Sequence, residues 1–179
     1  MIGSDREILM AEPLKIIFWP DPRLKRASQP VKGFDIKLRE LVSAMLELMR
    51  AEKGVGLAAP QVGRNIRLFV MNATGEPGDD RVYVNPSLFD PEGEETGEEG
   101  CLSIPTFREP VTRAQKVTVR AKDATGKEFE MTGEDLLARA FQHETDHLNG
   151  TLYISHVSPL KRDLIRRKIR KLQKAGEWG

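Results

Sequence analysis

Apolar residues recur at helical spacing over residues 35–52, where Leu38, Leu41, Val42, Met45, Leu46 and Met49 form one stripe, and the spacing predicts an amphipathic helix. Asp35 stands where a capping carboxylate belongs, and Gly54 and Gly56 end the helix and open the loop GVGLAAPQVG. A second stripe of Leu160, Leu164, Ile165, Ile169 and Leu172 follows Ser158-Pro159. A cap residue and a first-turn proline in that order predict a C-terminal helix over 158–175. Ahead of the first helix, LKIIFW (14–19), closed by Pro20 and Pro22, reads as a strand, and between the two helices so do IRLFVM (66–71) and RVYVNP (81–86) around the turn-rich NATGEPGDD. KVTVRA and KEFEMT alternate on either side of KDATG, which predicts a hairpin. The acid-rich EGEETGEEG reads as a solvated loop. A further helix is predicted from Thr132, whose hydroxyl would cap it with Asp135 in a capping-box position. It runs through Leu136, Leu137, Ala140 and Phe141 to the Asn149-Gly150 stop. Strands in the middle with helices before and after make the fold class α+β, not parallel α/β.

Composition narrows this picture without changing it. The 179 residues suit one domain, since domains take about 100–200. Hydrophobic and charged contents of 39% and 31% exclude a disordered or fibrous chain. A net charge of +1 provides no whole-molecule field, so any charged recognition must come from local clustering. No apolar run approaches the ~20 residues of a membrane span. The N-terminus lacks the build of a secretion signal, and Asp5 and Glu7 argue against a transit peptide. The expected location is therefore cytoplasmic. Residues 1–12 read as an N-terminal extension, with Met10 as an alternative start.

The chemistry concentrates in FQHETDHLNG (141–150). His143 and His147 are four apart and share a helix face, so both imidazoles can meet one ion. They continue the row of Leu136 and Ala140, which makes the ligand face an inward one. Glu144, in the row of Leu137 and Phe141, also turns inward, as a general base beside a metal would. H-E-x-x-H is a metalloprotease signature, yet the third ligand of a protease is missing. Gly150 fits the metzincin continuation, but its last histidine position is Tyr153, and the one glutamate beyond His147 is Glu177. Cys101, the lone cysteine, can close the site from EEGCLSIP, with a fourth position left for water. A blue-copper centre shares that ligand set but leaves an inward Glu144 unexplained.

With those residues assembled, the chain closely resembles the peptide deformylases in three motifs: GVGLAAPQ (54–61), EGCLS (99–103) and QHETDH (142–147). The similarity covers about residues 14 to 170. It implies antiparallel β-sheets around a central metal-binding helix, with a C-terminal helix beyond. It also implies removal of the formyl group from the formylmethionine of newly made polypeptides. By resemblance, Cys101, His143 and His147 hold one divalent ion, Fe2+ in the cell, with Zn2+, Ni2+ or Co2+ able to substitute. Glu144 is then the base, and the Gln61 side-chain amide and the Leu102 backbone N–H stabilise the oxyanion. Gly54, Val55 and Gly56 would pair with the extended substrate. Glu99 and Arg113 would form an ion pair bracing the cysteine loop, with Asp146 orienting a ligand histidine.

Residues 161–174 carry eight Lys or Arg and one Asp, a density that fits contact with RNA phosphates. In bacterial deformylases the C-terminal helix docks on the ribosome, and the expected state is otherwise a monomer. Two rival functions stay in view: a zinc endopeptidase, and an RNA- or ribosome-binding protein whose metal is structural.

Overall fold

Asp35 accepts the Leu38 N–H at 3.1 Å and starts α1, Ile36–Ala51, as its capping position predicts. The computed structural model describes residues 12–179. Met10 and residues 1–11 of the expected extension lie outside them. Seven strands follow α1: β1 (Gly56–Ala58), β2 (Leu68–Met71), β3 (Arg81–Glu92), β4 (Glu95–Cys101), β5 (Ile104–Arg113), β6 (Lys116–Lys122) and β7 (Glu128–Glu134). Two helices, α2 (Asp135–Leu148) and α3 (Pro159–Ala175), complete the chain. The strands form an antiparallel sheet in the order β1-β2-β3-β6-β7 and a separate β4-β5 hairpin.

Alternation along β2 shows how the sheet is used. Phe69 and Met71 join Tyr83, Val117 and Val119 against Ala138, Phe141 and Leu148 of α2. Leu68 and Val70 point the other way, with Val84, onto Val42, Met45 and Met49 of α1. A strand with both faces covered has no polar positions, so all four residues of β2 are buried. The hairpin approaches α2 from elsewhere: Arg139 of α2 donates to the carbonyls of Val111 on β5 and Glu95 on β4. Ile165 and Ile169 of α3 then pack with Ile104, Val111 and Tyr153. The helix with the histidines therefore lies among antiparallel strands, with a C-terminal helix, as the fold class requires. Ser158 caps α3 by accepting the Lys161 N–H at 3.3 Å, as the Ser-Pro pair predicts.

Four expectations need correction. Residues 14–19 do not form a strand; Ile17 N–H donates to the Gln61 carbonyl and Trp19 N–H to that of Ser103. The segment ties two loops together and has no single partner along its length. Thr132 does not cap α2 but lies in β7, its hydroxyl 2.8 Å from that of Thr118 on β6. The helix starts at Asp135 without a side-chain cap, and Leu136 is 51% exposed, so the inward row begins only at Ala140. The strand expected over 81–86 runs on to Glu92, passing Pro86 through a register shift between Val84 and Ser87. An irregularity of this kind is how a strand tolerates a residue with no N–H. Lastly, most of EGEETGEEG is not a loop. It is β4, paired residue for residue with β5 from Glu95↔Arg113 to Gly100↔Arg108.

Candidate metal centre

Residues 143 and 147 face the same side of α2, with ring centroids 5.1 Å apart. Cys101 ends β4 at the register shift after Gly100, which swings its side chain toward the helix. Its Sγ lies 3.3 Å from His147 Nε2, and one donor atom from each of Cys101, His143 and His147 lies within 4.8 Å of the other two. Among the described residues this is the one such cluster. The sequence-predicted trio, dispersed over almost fifty positions, is therefore assembled in space.

The surrounding groups decide which atoms face the ion. His143 Nδ1 is bound to Glu99 Oε2 at 2.8 Å, which leaves Nε2 for the site. Glu99 is buried, and burial alone would favour its neutral acid. Hydrogen bonds from Arg113 and His143 outweigh that and hold its carboxyl far below the usual carboxylate range. The expected Glu99–Arg113 pair is a fork, with Nε at 2.7 Å and Nη2 at 3.0 Å. Asp146 hydrogen-bonds neither His143 nor His147; it accepts from Arg113 at 2.7 Å and from His156 at 2.8 Å. The expected orienting bond from Asp146 to a histidine of the trio is therefore not made. Tyr153, the residue in the metzincin histidine position, stacks on His143 at 6.1 Å and donates to the Phe107 carbonyl. It walls the site and supplies no ligand.

Gln61 is clamped at both ends of its amide. Oε1 accepts the Ala58 N–H at 2.9 Å, and Nε2 donates to Ser103 Oγ at 3.2 Å, lying 3.5 Å from Cys101 Sγ. Glu144 is 5% exposed, and its Oε2 has no hydrogen-bond partner. Burial pushes its carboxyl up to about 7, with His143 pulling the other way. The carboxylate stands against β1: a methyl at Gly56 would lie 2.5 Å from Oε1 and 2.8 Å from the carboxyl carbon. A methyl at Gly54 would lie 2.8 Å from Leu102 Cδ1. The two glycines thus let one segment pass between Leu102 and Glu144. Gly56→Ala should lower kcat by up to ~10²-fold through displacement of the carboxylate. A variant with wild-type kcat and an unchanged melting temperature would show that Glu144 is not held against β1.

Arg139, Ser103 and His156 also belong to this network and were not singled out from sequence. Arg139 offered a signal, standing four residues before His143 and so on its face of the helix. Ser103 offered its place at the end of the EGCLS motif, whereas His156 offered none, because its partners Arg113 and Asp146 are fixed only by the fold.

The donor set fits one divalent ion. Two imidazoles and a thiolate suit first-row metals, and three donors keep a coordination position open. Burial opposes a charge on His143, but hydrogen bonds with Cys101 and Glu99 and the charge of Glu144 raise its pKa well above normal, whereas burial and the neighbouring His143 lower that of His147. An α+β fold with such a centre and a buried carboxylate beside it defines a metallohydrolase.

The polypeptide deformylase family model matches residues 13–163. The peptide deformylase of Acidobacterium capsulatum is 52% identical over 165 residues, covering 91% of this chain and 97% of its own. The crystal structure of a peptide deformylase from Legionella pneumophila superposes with a TM-score of 0.87 at 47% identity, covering 91% and 96% of the two chains. One from Arabidopsis thaliana superposes at 0.84 with 40% identity and 92% of each chain. The chain belongs to the polypeptide deformylase family.

Proposed function

We infer that this chain removes the formyl group from the N-terminal formylmethionine of newly made polypeptides and releases formate. The observation that carries the reading is the Cys101–His143–His147 cluster with an unpartnered Glu144 oxygen beside it, in a member of this family. Cys101 Sγ and the two imidazoles would hold the ion, which when bound would acidify water toward a pKa of ~7 and polarise the formyl carbonyl. Glu144 takes the proton of the attacking water and returns it to the nitrogen as the C–N bond breaks. Formate leaves with the water oxygen, and the peptide leaves as a free amine. Gln61 Nε2 and the Leu102 N–H donate to the carbonyl oxygen as it gains charge. Because the Ala58 N–H already occupies Gln61 Oε1, the amide presents its donor without reorganising, which is what such stabilisation requires. Gly54, Val55 and Gly56 take the substrate as an added strand: β1 is the edge of its sheet, and strand addition needs an open edge.

The rivals fit less well. An endopeptidase of the metzincin type needs a ligand at residue 153, which is a buried tyrosine. A structural metal site needs four protein ligands, and among the described residues three gather. Formate release from formyl-Met-Ala-Ser by the metal-loaded protein tests the reading, and its absence would overturn it.

We assign Fe2+ as the cellular ion, with Zn2+, Ni2+ or Co2+ able to substitute, because a thiolate with two imidazoles accepts each. An iron form whose activity survived aerobic storage unchanged would contradict this, since the thiolate beside the iron is open to oxidation. The enzyme is read as a cytoplasmic monomer, in the compartment where formylated chains are made. No helix among the described residues is long and apolar enough to cross a membrane. Ribosomal RNA is the proposed docking partner of α3, whose Arg167, Lys168, Arg170, Lys171 and Lys174 are exposed. Deleting the helix would also strip Ile165 and Ile169 from a buried cluster, so charge reversal is the cleaner test. Replacing Lys168, Lys171 and Lys174 by Glu should weaken ribosome co-sedimentation while hydrolysis of the short peptide continues. Unchanged co-sedimentation would remove the docking role.

A further inference from the structure

Arg139 is a buried cation, 8% exposed, whose hydrogen bonds all lead away from its own helix. Nη1 donates to Glu99 Oε1 at 2.9 Å and to the Val111 carbonyl at 2.8 Å, and Nη2 donates to the Glu95 carbonyl at 2.9 Å. One side chain of α2 therefore binds both strands of the β4–β5 hairpin. Glu95 and Val111 lie two register steps apart, in the pairs Glu95↔Arg113 and Gly97↔Val111. Gly97 makes room for this. A methyl at that position would meet the guanidinium carbon at 3.3 Å and Nη2 at 3.2 Å, so the hairpin backbone lies directly against the guanidinium.

The consequence concerns the metal centre. Cys101 belongs to the hairpin, whereas His143 and His147 belong to α2, and nothing in the covalent chain sets their separation. We propose that Arg139 is a positioning residue for the ion. It pins the hairpin to α2 so that the thiolate meets the two imidazoles, and it holds Glu99 in place to receive the Nδ1 hydrogen of His143. Arg113 is placed differently: it holds Glu99 from within the hairpin, on β5, and meets the helix at one carboxylate, Asp146 at 2.7 Å, whereas Arg139 reaches out from the helix to both strands of the hairpin. A lysine at 139 has one nitrogen and cannot span Glu99 and two carbonyls with the geometry of a planar fork.

The proposal rests on the reading of Cys101, His143 and His147 as ligands, and one experiment keeps the two apart. The full-length protein is loaded with Co2+, and its affinity for the ion is measured by chelator competition, along with its thiolate-to-cobalt absorption and its melting temperature. Arg139→Met should bind Co2+ ~10–100-fold more weakly, in the range of outer-sphere partners of metal ligands, with a diminished thiolate band. Arg139→Lys should fall between Arg139→Met and wild type. For both, KM for formyl-Met-Ala-Ser should move less than kcat, because Arg139 does not touch the substrate strand. A folded Arg139→Met with wild-type affinity and an undiminished band overturns the proposal. Should that variant not fold, Arg139→Lys decides: weaker binding at an unchanged melting temperature supports the proposal, and unchanged binding overturns it. Cys101→Ser is the control for the underlying reading. A wild-type band that survived Cys101→Ser would refute the ligand assignment itself.

Discussion

Replacing Glu144 with Gln lowers kcat for formyl-Met-Ala-Ser by about 10²–10⁴-fold, the range for a lost general base, and leaves the bound ion in place. The amide is nearly isosteric with the carboxylate and sits in the same buried gap against β1, so packing is preserved. What disappears is an oxygen able to accept a proton. The pH profile separates this from general damage. Burial pushes the Glu144 carboxyl up to about 7, and the group must be ionised to act, so activity falls as pH drops through its pKa. A nearby divalent ion favours the carboxylate and moves the midpoint below that of the ion-free protein. Wild-type kcat should therefore show an acid limb with a midpoint at or below about 7, and Glu144→Gln should lack it. A Gln variant retaining more than a tenth of wild-type kcat would remove Glu144 from its role as base.

Cys101→Ser should abolish formate release for a different reason, loss of the ion itself. A serine hydroxyl is shorter than the thiol, stays protonated near neutrality and is a harder, uncharged donor. The two imidazoles would then hold the cation alone, in a field where Glu99 is already committed to Arg113, Arg139 and His143. Affinity should fall by more than the ~10–100-fold typical of outer-sphere partners. Metal content after dialysis, measured beside formate release, checks this. The fold should survive, since Cys101 only borders its apolar cluster, whose buried members are Trp19, Leu24, Ile104 and their neighbours. A Cys101→Ser protein that kept both its ion and its activity would exclude the cysteine as a ligand.

The two outcomes complement one another. Glu144→Gln yields a loaded, inactive enzyme and Cys101→Ser an ion-poor one. A zinc endopeptidase would be insensitive to the formyl group, and a structural metal site would tolerate Glu144→Gln.

Local elements were legible wherever a periodic apolar face coincided with a cap. Asp35 and the Leu38–Met49 stripe predicted α1, and Ser158-Pro159 with Ile165 and Ile169 predicted α3. β4 escaped because its one fully inward side chain is Glu99, which mimics a solvated acidic run until its three cationic and imidazole partners are in view. The start of α2 was misread because Thr132 has a capping hydroxyl, yet the β6–β7 ladder claims that residue for pairing with Thr118. Residues 14–19 have strand composition but no ladder partner, and composition cannot report a missing partner.

By itself the sequence paired the two candidate ligands on α2, because four-residue spacing puts His143 and His147 on one face of any helix, and it nominated Cys101 by leaving no other thiol. The three motifs identified the family. Tertiary structure alone decided how the cysteine reaches the histidines, since Cys101 arrives on a hairpin that meets α2 through the long-range pairs Arg139–Glu99, Arg113–Asp146 and His143–Glu99. It also decided that Asp146 pairs with Arg113 and His156 and that Tyr153 stacks on His143. Spacing along a helix is a property of the backbone and can be read from the chain. The meeting of a helix with a hairpin depends on which buried charges find partners, and those partners are named only when the chain is folded.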